Sequence, residues 1–127
     1  MTVVHFNFSW WVEHIYIFEY MLNTKYNHKL CFLGYCEGWG DPHYVTFDGL
    51  SYSHQGNCTY VLMEEIHPVF DFKIYVDNVK CDPREDVSCP RSVIISHKSD
   101  VITLKNNNLM GPAKLEVGYG TSGAEPT

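Results

Sequence analysis

Two groupings in this chain have residue types and spacings that could do chemistry. The first is Gly40-Asp41-Pro42-His43. Proline's nitrogen is tertiary, so the Asp41–Pro42 amide becomes a better leaving group once that nitrogen is protonated. The Asp41 carboxyl lies beside its own carbonyl carbon and can attack it to form a cyclic anhydride. Well-aligned intramolecular attack can replace on the order of 7–11 kcal/mol of a bimolecular barrier. Imidazole as a group titrates in the weakly acidic range of late secretory compartments, so His43 could deliver the proton. Gly40 lets the backbone adopt the conformation the attack needs. The same residues are also ordinary turn material ahead of a strand, so self-cleavage by Asp41, Pro42 and His43 and plain punctuation both remain open here.

The second grouping is the cysteines, at 31, 36, 58, 81 and 89. Their spacings do not repeat a C-x2-C zinc pattern. A disulfide framework is the better reading, and it places the chain in the secretory lumen or outside the cell. The count is odd, so at least one thiol lacks a partner within the chain. In "CDPREDVSC" a bridge between Cys81 and Cys89 would pin the connection between two strands, contributing roughly 2–3 kcal/mol. The rival is a metal held by Cys81, Asp82, Asp86 and Cys89, although zinc prefers closer cysteine pairs and more thiolate or imidazole ligands. Two glycan acceptors, Asn7-Phe8-Ser9 and Asn57-Cys58-Thr59, also point to secretion. A hydrolase built on Asp41, His43, Asp48 and His54 would need a metal-ligand motif such as H-E-x-x-H, and none is present.

Strands are the elements that must position these residues. In "VFDFKIYVD" Phe70, Phe72, Ile74 and Val76 fall on one face and Asp71, Lys73, Tyr75 and Asp77 on the other, a half-buried strand. "TYVLMEEI" (59–66) reads as a more fully buried strand. "SVIISH" (92–97) and "DVITLK" (100–105), separated by Lys98-Ser99, read as a hairpin. Asp48-Gly49 and Gln55-Gly56-Asn57 supply turn chemistry. Residues 1–33 have a divergent character, with neither a secretory leader's pattern nor the unbroken apolar run of a membrane span. Trp11, Ile15, Phe18 and Leu22 recur at helical spacing and allow a short amphipathic N-terminal helix. From 117 to 127 there is little to bury, and a disordered tail is expected. The fold class is all-β, an antiparallel sandwich.

"CEGWGDPHYVTFDGLSYSHQGNCTYVL", Cys36 to Leu62, resembles the start of a von Willebrand factor type D domain, most like the C-terminal type D domain of gel-forming mucins. "IYVDNVKCDPREDVSCPRSVIISH" is similar to the stretch that follows in that family. The likeness covers residues 36 to 105 and extends toward 116, so a partial domain over 34–116 is expected. It implies a disulfide-rich β-sandwich in which Cys81 and Cys89 form a local pair. It also implies that Cys36 and Cys58 bond to cysteines of the domain's later half, near a Cys-Gly-x-Cys motif that this chain lacks, leaving both unpaired here. Asp48 matches an aspartate that helps bind calcium in the complete domain. Calcium takes six to eight oxygens, so one carboxylate makes an incomplete site. Gly40 to His43 matches a tetrapeptide at which several family members cleave themselves between Asp and Pro.

The net charge is −6, and lysines and arginines are scattered singly, so no nucleic-acid surface is expected. No membrane partner is expected either. The resemblance implies a structural module of a secreted, mucin-like glycoprotein, without turnover catalysis. Its partners would be other type D domains, joined to it through disulfides.

Overall fold

The computed structural model describes residues 2–8, 13–22 and 31–122, with side chains described from Tyr35 to Ser122. It divides into two compact units, Met1–His54 and Gln55–Thr127. Each holds one antiparallel sheet, and the described residues are all-β.

In the first unit the strands follow chain order: β1 (Thr2–Phe8), β2 (Glu13–Leu22), β3 (Cys31–Trp39), β4 (His43–Val45) and β5 (Ser51–Ser53). The N-terminal helix allowed by Ile15, Phe18 and Leu22 is not formed, because these residues lie in β2; Trp11 is outside the described residues. The segment "EHIYIFEYML" is rich in isoleucine and aromatic residues, which suit a pleated surface. It is laddered on one side to β1 and on the other to β3, so its backbone groups are satisfied across strands rather than along a helix. β3 runs through residues 33 and 34.

The second unit contains β6 (Thr59–Glu64), β7 (Phe72–Asp82), β8 (Val87–His97), β9 (Asp100–Asn106) and β10 (Leu115–Thr121), ordered β10-β9-β8-β7-β6. Period-two patterning puts Ile74 and Val76 on the inner face of β7, where they are 0% and 2% exposed. Val76 pairs with Val93 and Ile74 with Ile95, giving the branched cross-strand neighbours that stabilise a sheet face. Met63 and Val93 complete the buried apolar set of this unit. The opposite face is wet, with Lys73 and Glu64 paired at 3.5 Å.

Three sequence-level expectations change here. Phe70 does not join the inner face: it is exposed and precedes Asp71, whose φ of +51° takes the chain out of strand geometry. The Glu65 carboxylate instead accepts hydrogen bonds from the Phe70 and Phe72 amides. The 59–66 stretch is an edge strand ending at Glu64, and Met63 is its one buried position. A shift of register between Val61 and Met63 breaks its alternation.

The third change is at the C-terminal end, where residues 117–121 are ordered as the second half of β10 rather than a disordered tail. Their side chains are exposed, so burial is not what holds them. Backbone pairing with β9 over the whole strand does, closed by Asn107 N–H to Lys114 O at 2.8 Å and Ser122 N–H to Ser99 O at 2.6 Å. At the near end of that hairpin, buried Asn106 accepts hydrogen bonds from the Asn108 and Lys114 amides, each at 3.0 Å. The remaining tail residues, 123–127, lie outside the described ones.

Candidate functional site

Trp39 and His43 face each other across the β3–β4 pair, and Gly40, Asp41 and Pro42 make the turn between them. Gly40 holds a φ of +58°, a left-handed conformation that favours a residue without a Cβ. Asp41 is exposed at the tip, whereas Pro42 is fully buried. The Pro42 carbonyl accepts a hydrogen bond from the His54 amide at 3.1 Å, so the residue after the Asp–Pro bond is fixed. His43 lies opposite Ser53 of β5, with Nδ1 2.7 Å from the Ser53 hydroxyl. The Trp39 ring sits 5.6 Å from the imidazole. Chemically, the turn joins an exposed carboxylate, an anchored proline and an oriented imidazole.

The next turn carries Asp48. Gly49, at φ +84°, donates its amide to the Thr46 carbonyl at 2.9 Å, and the Leu50 amide donates to the Thr46 hydroxyl at 3.0 Å. The Thr46 hydroxyl in turn donates to the Asp48 carboxylate, which holds that carboxyl below the usual carboxylate range; backbone amides reinforce the effect. Asp48 is exposed, and among the described residues no three carboxylate, imidazole or thiolate side chains gather where a metal could bind. Among the described residues Asp41, His43, Asp48 and His54 form no such group either; the His43 ring meets Ser53 and the Asp48 carboxylate accepts from Thr46.

In the second unit Cys81 and Cys89 are joined by a disulfide across the β7–β8 turn, with Cα atoms 5.7 Å apart. Neither aspartate of the rival metal reading is turned to a metal. Asp82 accepts from the Arg84 amide at 2.9 Å and from its guanidinium at 3.0 and 2.9 Å. That contact keeps the Asp82 carboxyl below its ordinary range and pushes Arg84 up. Asp86 pairs with Lys80 at 2.6 Å.

The registers of β7 and β8 shift between Asp77 and Asn78 and again between Lys80 and Asp82, interrupting their ladder. The segment 55–58 supplies acceptors there. Gln55 Oε1 takes the Ser88 amide at 2.7 Å and the Gly56 carbonyl takes the Ser88 hydroxyl at 2.6 Å. Asn57 Oδ1 takes the Lys80 amide at 3.3 Å, and the Cys58 carbonyl takes the Asn78 amide at 3.0 Å. Cys58 is an exposed free thiol; Cys36 lies buried in β3. This seam and the Ser53 contact escape sequence reading, because their partners stand 10 to 33 residues apart with no local motif.

These features define a disulfide-braced antiparallel β module. Residues 36–123 match the von Willebrand factor type D domain, and the chain belongs to that family. It is 57% identical over 84 residues to mucin-2 of Homo sapiens, covering 65% of this chain and 2% of that protein. It is 56% identical over 84 residues to an intestinal mucin-like protein of Rattus norvegicus, covering 65% and 10%. Mucin-5AC of Homo sapiens is 41% identical over 92 residues, covering 72% and 2%. The chain therefore spans a small fraction of these relatives' lengths. No solved structure matches it.

Proposed function

We propose that the chain is a structural and assembly module of a secreted, mucin-like glycoprotein of a mucus gel or extracellular matrix. Its work is to hold a disulfide-braced sheet in place and to join other type D domains through thiols, without turnover catalysis. The observation that carries this reading is the match to mucin segments at up to 57% identity. The bridge at Cys81–Cys89 fits the oxidising compartment such a protein passes through. The test is to secrete the full chain from eukaryotic cells and compare non-reducing and reducing electrophoresis. Disulfide-linked species that disappear on reduction are expected. A monomer in both would remove the thiol-joining role.

The turn geometry favours a second reading, scission of the Asp41–Pro42 bond at mildly acidic pH. An exposed Asp41 next to a left-handed Gly40, with His43 oriented by Ser53, supports it. Incubation at about pH 5.5, where imidazole is largely protonated, followed by sequencing of new N-termini, tests it. A fragment beginning at Pro42 that Asp41→Asn abolishes is expected. Equal behaviour of wild type and variant would end this reading.

A further inference from the structure

We propose that docking of β5 switches on the Asp41–Pro42 scission, with Ser53 as the residue that positions His43 for it. The proposal rests on the scission reading and adds what governs it. The end of β5 holds the turn at two points. Ser53 lies opposite His43 in the β4–β5 register, its hydroxyl 2.7 Å from His43 Nδ1. The His54 amide, one residue on, donates to the Pro42 carbonyl at 3.1 Å. One strand end thus fixes both the residue that contributes the leaving nitrogen and the imidazole that follows it. His43 and Ser53 are ten residues apart, so the arrangement exists only once the β4–β5 hairpin has closed. Closure has its own supports. The Gly49 amide donates to the Thr46 carbonyl at 2.9 Å, and the Tyr44 and Tyr52 rings stack with centroids 5.4 Å apart. Buried Tyr44 packs on Gly38 of β3, where an added Cβ would come within 3.0 Å of the ring. From β3, too, the Trp39 ring borders the imidazole at 5.6 Å.

The chemistry shows why holding these two residues matters. A carboxylate oxygen of Asp41 attacks the Asp41 carbonyl carbon and forms a C–O bond. The bond from that carbon to the Pro42 nitrogen breaks, its electron pair stays on nitrogen, and an imidazolium proton is delivered there. The products are a cyclic anhydride, which water opens to two carboxyls, and a chain that begins with the secondary amine of Pro42. Proton transfer from a positioned donor contributes about 10²–10⁴-fold. That gain depends on orientation, which a flexible chain with the same four residues in sequence does not supply. Scission therefore follows folding of the hairpin. Ser53 is exposed and acts through the imidazole, so replacing it removes a hydroxyl and no core volume.

The experiment uses the full chain purified at neutral pH and then held at about pH 5.5, where imidazole is largely protonated. Intact mass follows the fragment beginning at Pro42 over time, in buffer and in guanidinium chloride. The parent should cleave faster folded than denatured. Ser53→Ala should slow the folded rate on the order of tenfold, part of what a positioned proton donor contributes. Ser53→Thr, which keeps a hydroxyl, should recover most of that loss. In guanidinium chloride the parent and both variants should share one slow rate, which a change confined to the fold predicts. The coupling to His43 is read from a double-mutant cycle: with His43→Ala already present, Ser53→Ala should change the rate no further. That non-additivity separates positioning of the imidazole from general loosening of the turn, which would slow both backgrounds alike. Ser53→Ala cleaving at the parent's rate, a loss undiminished in the His43→Ala background, or a parent that cleaves equally fast denatured overturns the proposal and leaves scission standing. A parent that yields no Pro42 fragment overturns the scission reading and this proposal with it.

Discussion

The β7–β8 and β3–β4 hairpins hold the chain's reactive residues in opposite ways. β7 and β8 are each 11 residues long, cross-linked by Cys81–Cys89, and packed through Ile74, Val76 and Val93. Where their ladder breaks, segment 55–58 supplies acceptors. β4 has three residues, its pairing with β3 is equally short, and the turn before it depends on a left-handed glycine. Its order comes from the buried Pro42 and from contacts of Ser53 and His54 across a narrow sheet. Burial and covalent closure suit a hairpin that must resist unfolding. A short hairpin with one fixed and one exposed residue at its tip suits a bond that is presented to chemistry.

Substitutions can break this contrast at either end. Ile74→Ala removes a fully buried side chain from the long hairpin and should cost about 3 kcal/mol in denaturant unfolding. Replacing Cys81 and Cys89 together by serine should cost about 2 kcal/mol, because a short loop is no longer closed in the unfolded chain. The same loss should appear in wild type under reducing conditions. Gly40→Ala isolates backbone geometry in the short hairpin, since an added Cβ meets nothing within 4 Å. Its expected cost is about 1 kcal/mol from the left-handed conformation alone. A loss as large as that of Ile74→Ala would erase the distinction between the two hairpins.

The smallest effect concerns pH. Asp48 and Asp82 are held below the usual carboxylate range by Thr46 and Arg84 respectively. A carboxyl whose pKa falls on folding stabilises the fold above its unfolded value, and that gain disappears as pH drops through the lowered folded value. Going from neutral to about pH 5.5 should therefore leave both contacts intact, since carboxylates ordinarily titrate near 4. The loss should begin only in stronger acid. Thr46→Ala should move the Asp48 titration upward, measurable by carboxyl NMR, and leave that of Asp82 unchanged.

Much of the fold was legible because side-chain alternation is local. Ile74 and Val76 announced their face by period two, and "SVIISHKSDVITLK" announced a hairpin around Lys98, which takes a φ of +55°. Phe70 misled because one left-handed residue, Asp71, ends the alternation without a compositional sign. Residues 13–22 misled because apolar spacing in a short run fits helix and strand alike, and β-sheet partners on both sides settle the choice. The 117–121 stretch misled because its order comes from main-chain bonds to β9, which composition does not report.

At the candidate site, the sequence alone determined the adjacency of Asp41, Pro42 and His43, the spacing of Cys81 and Cys89, and the acceptor tripeptide at Asn57. Covalent neighbours and short loops are properties of the chain itself. Only the tertiary structure decided that Ser53 faces His43, that the His54 amide anchors Pro42, and that Asn57 presents its oxygen inward to Lys80. These depend on strand register and on segments brought together from a distance. A shift of one residue in the β4–β5 pairing would send Ser53 to the face away from His43.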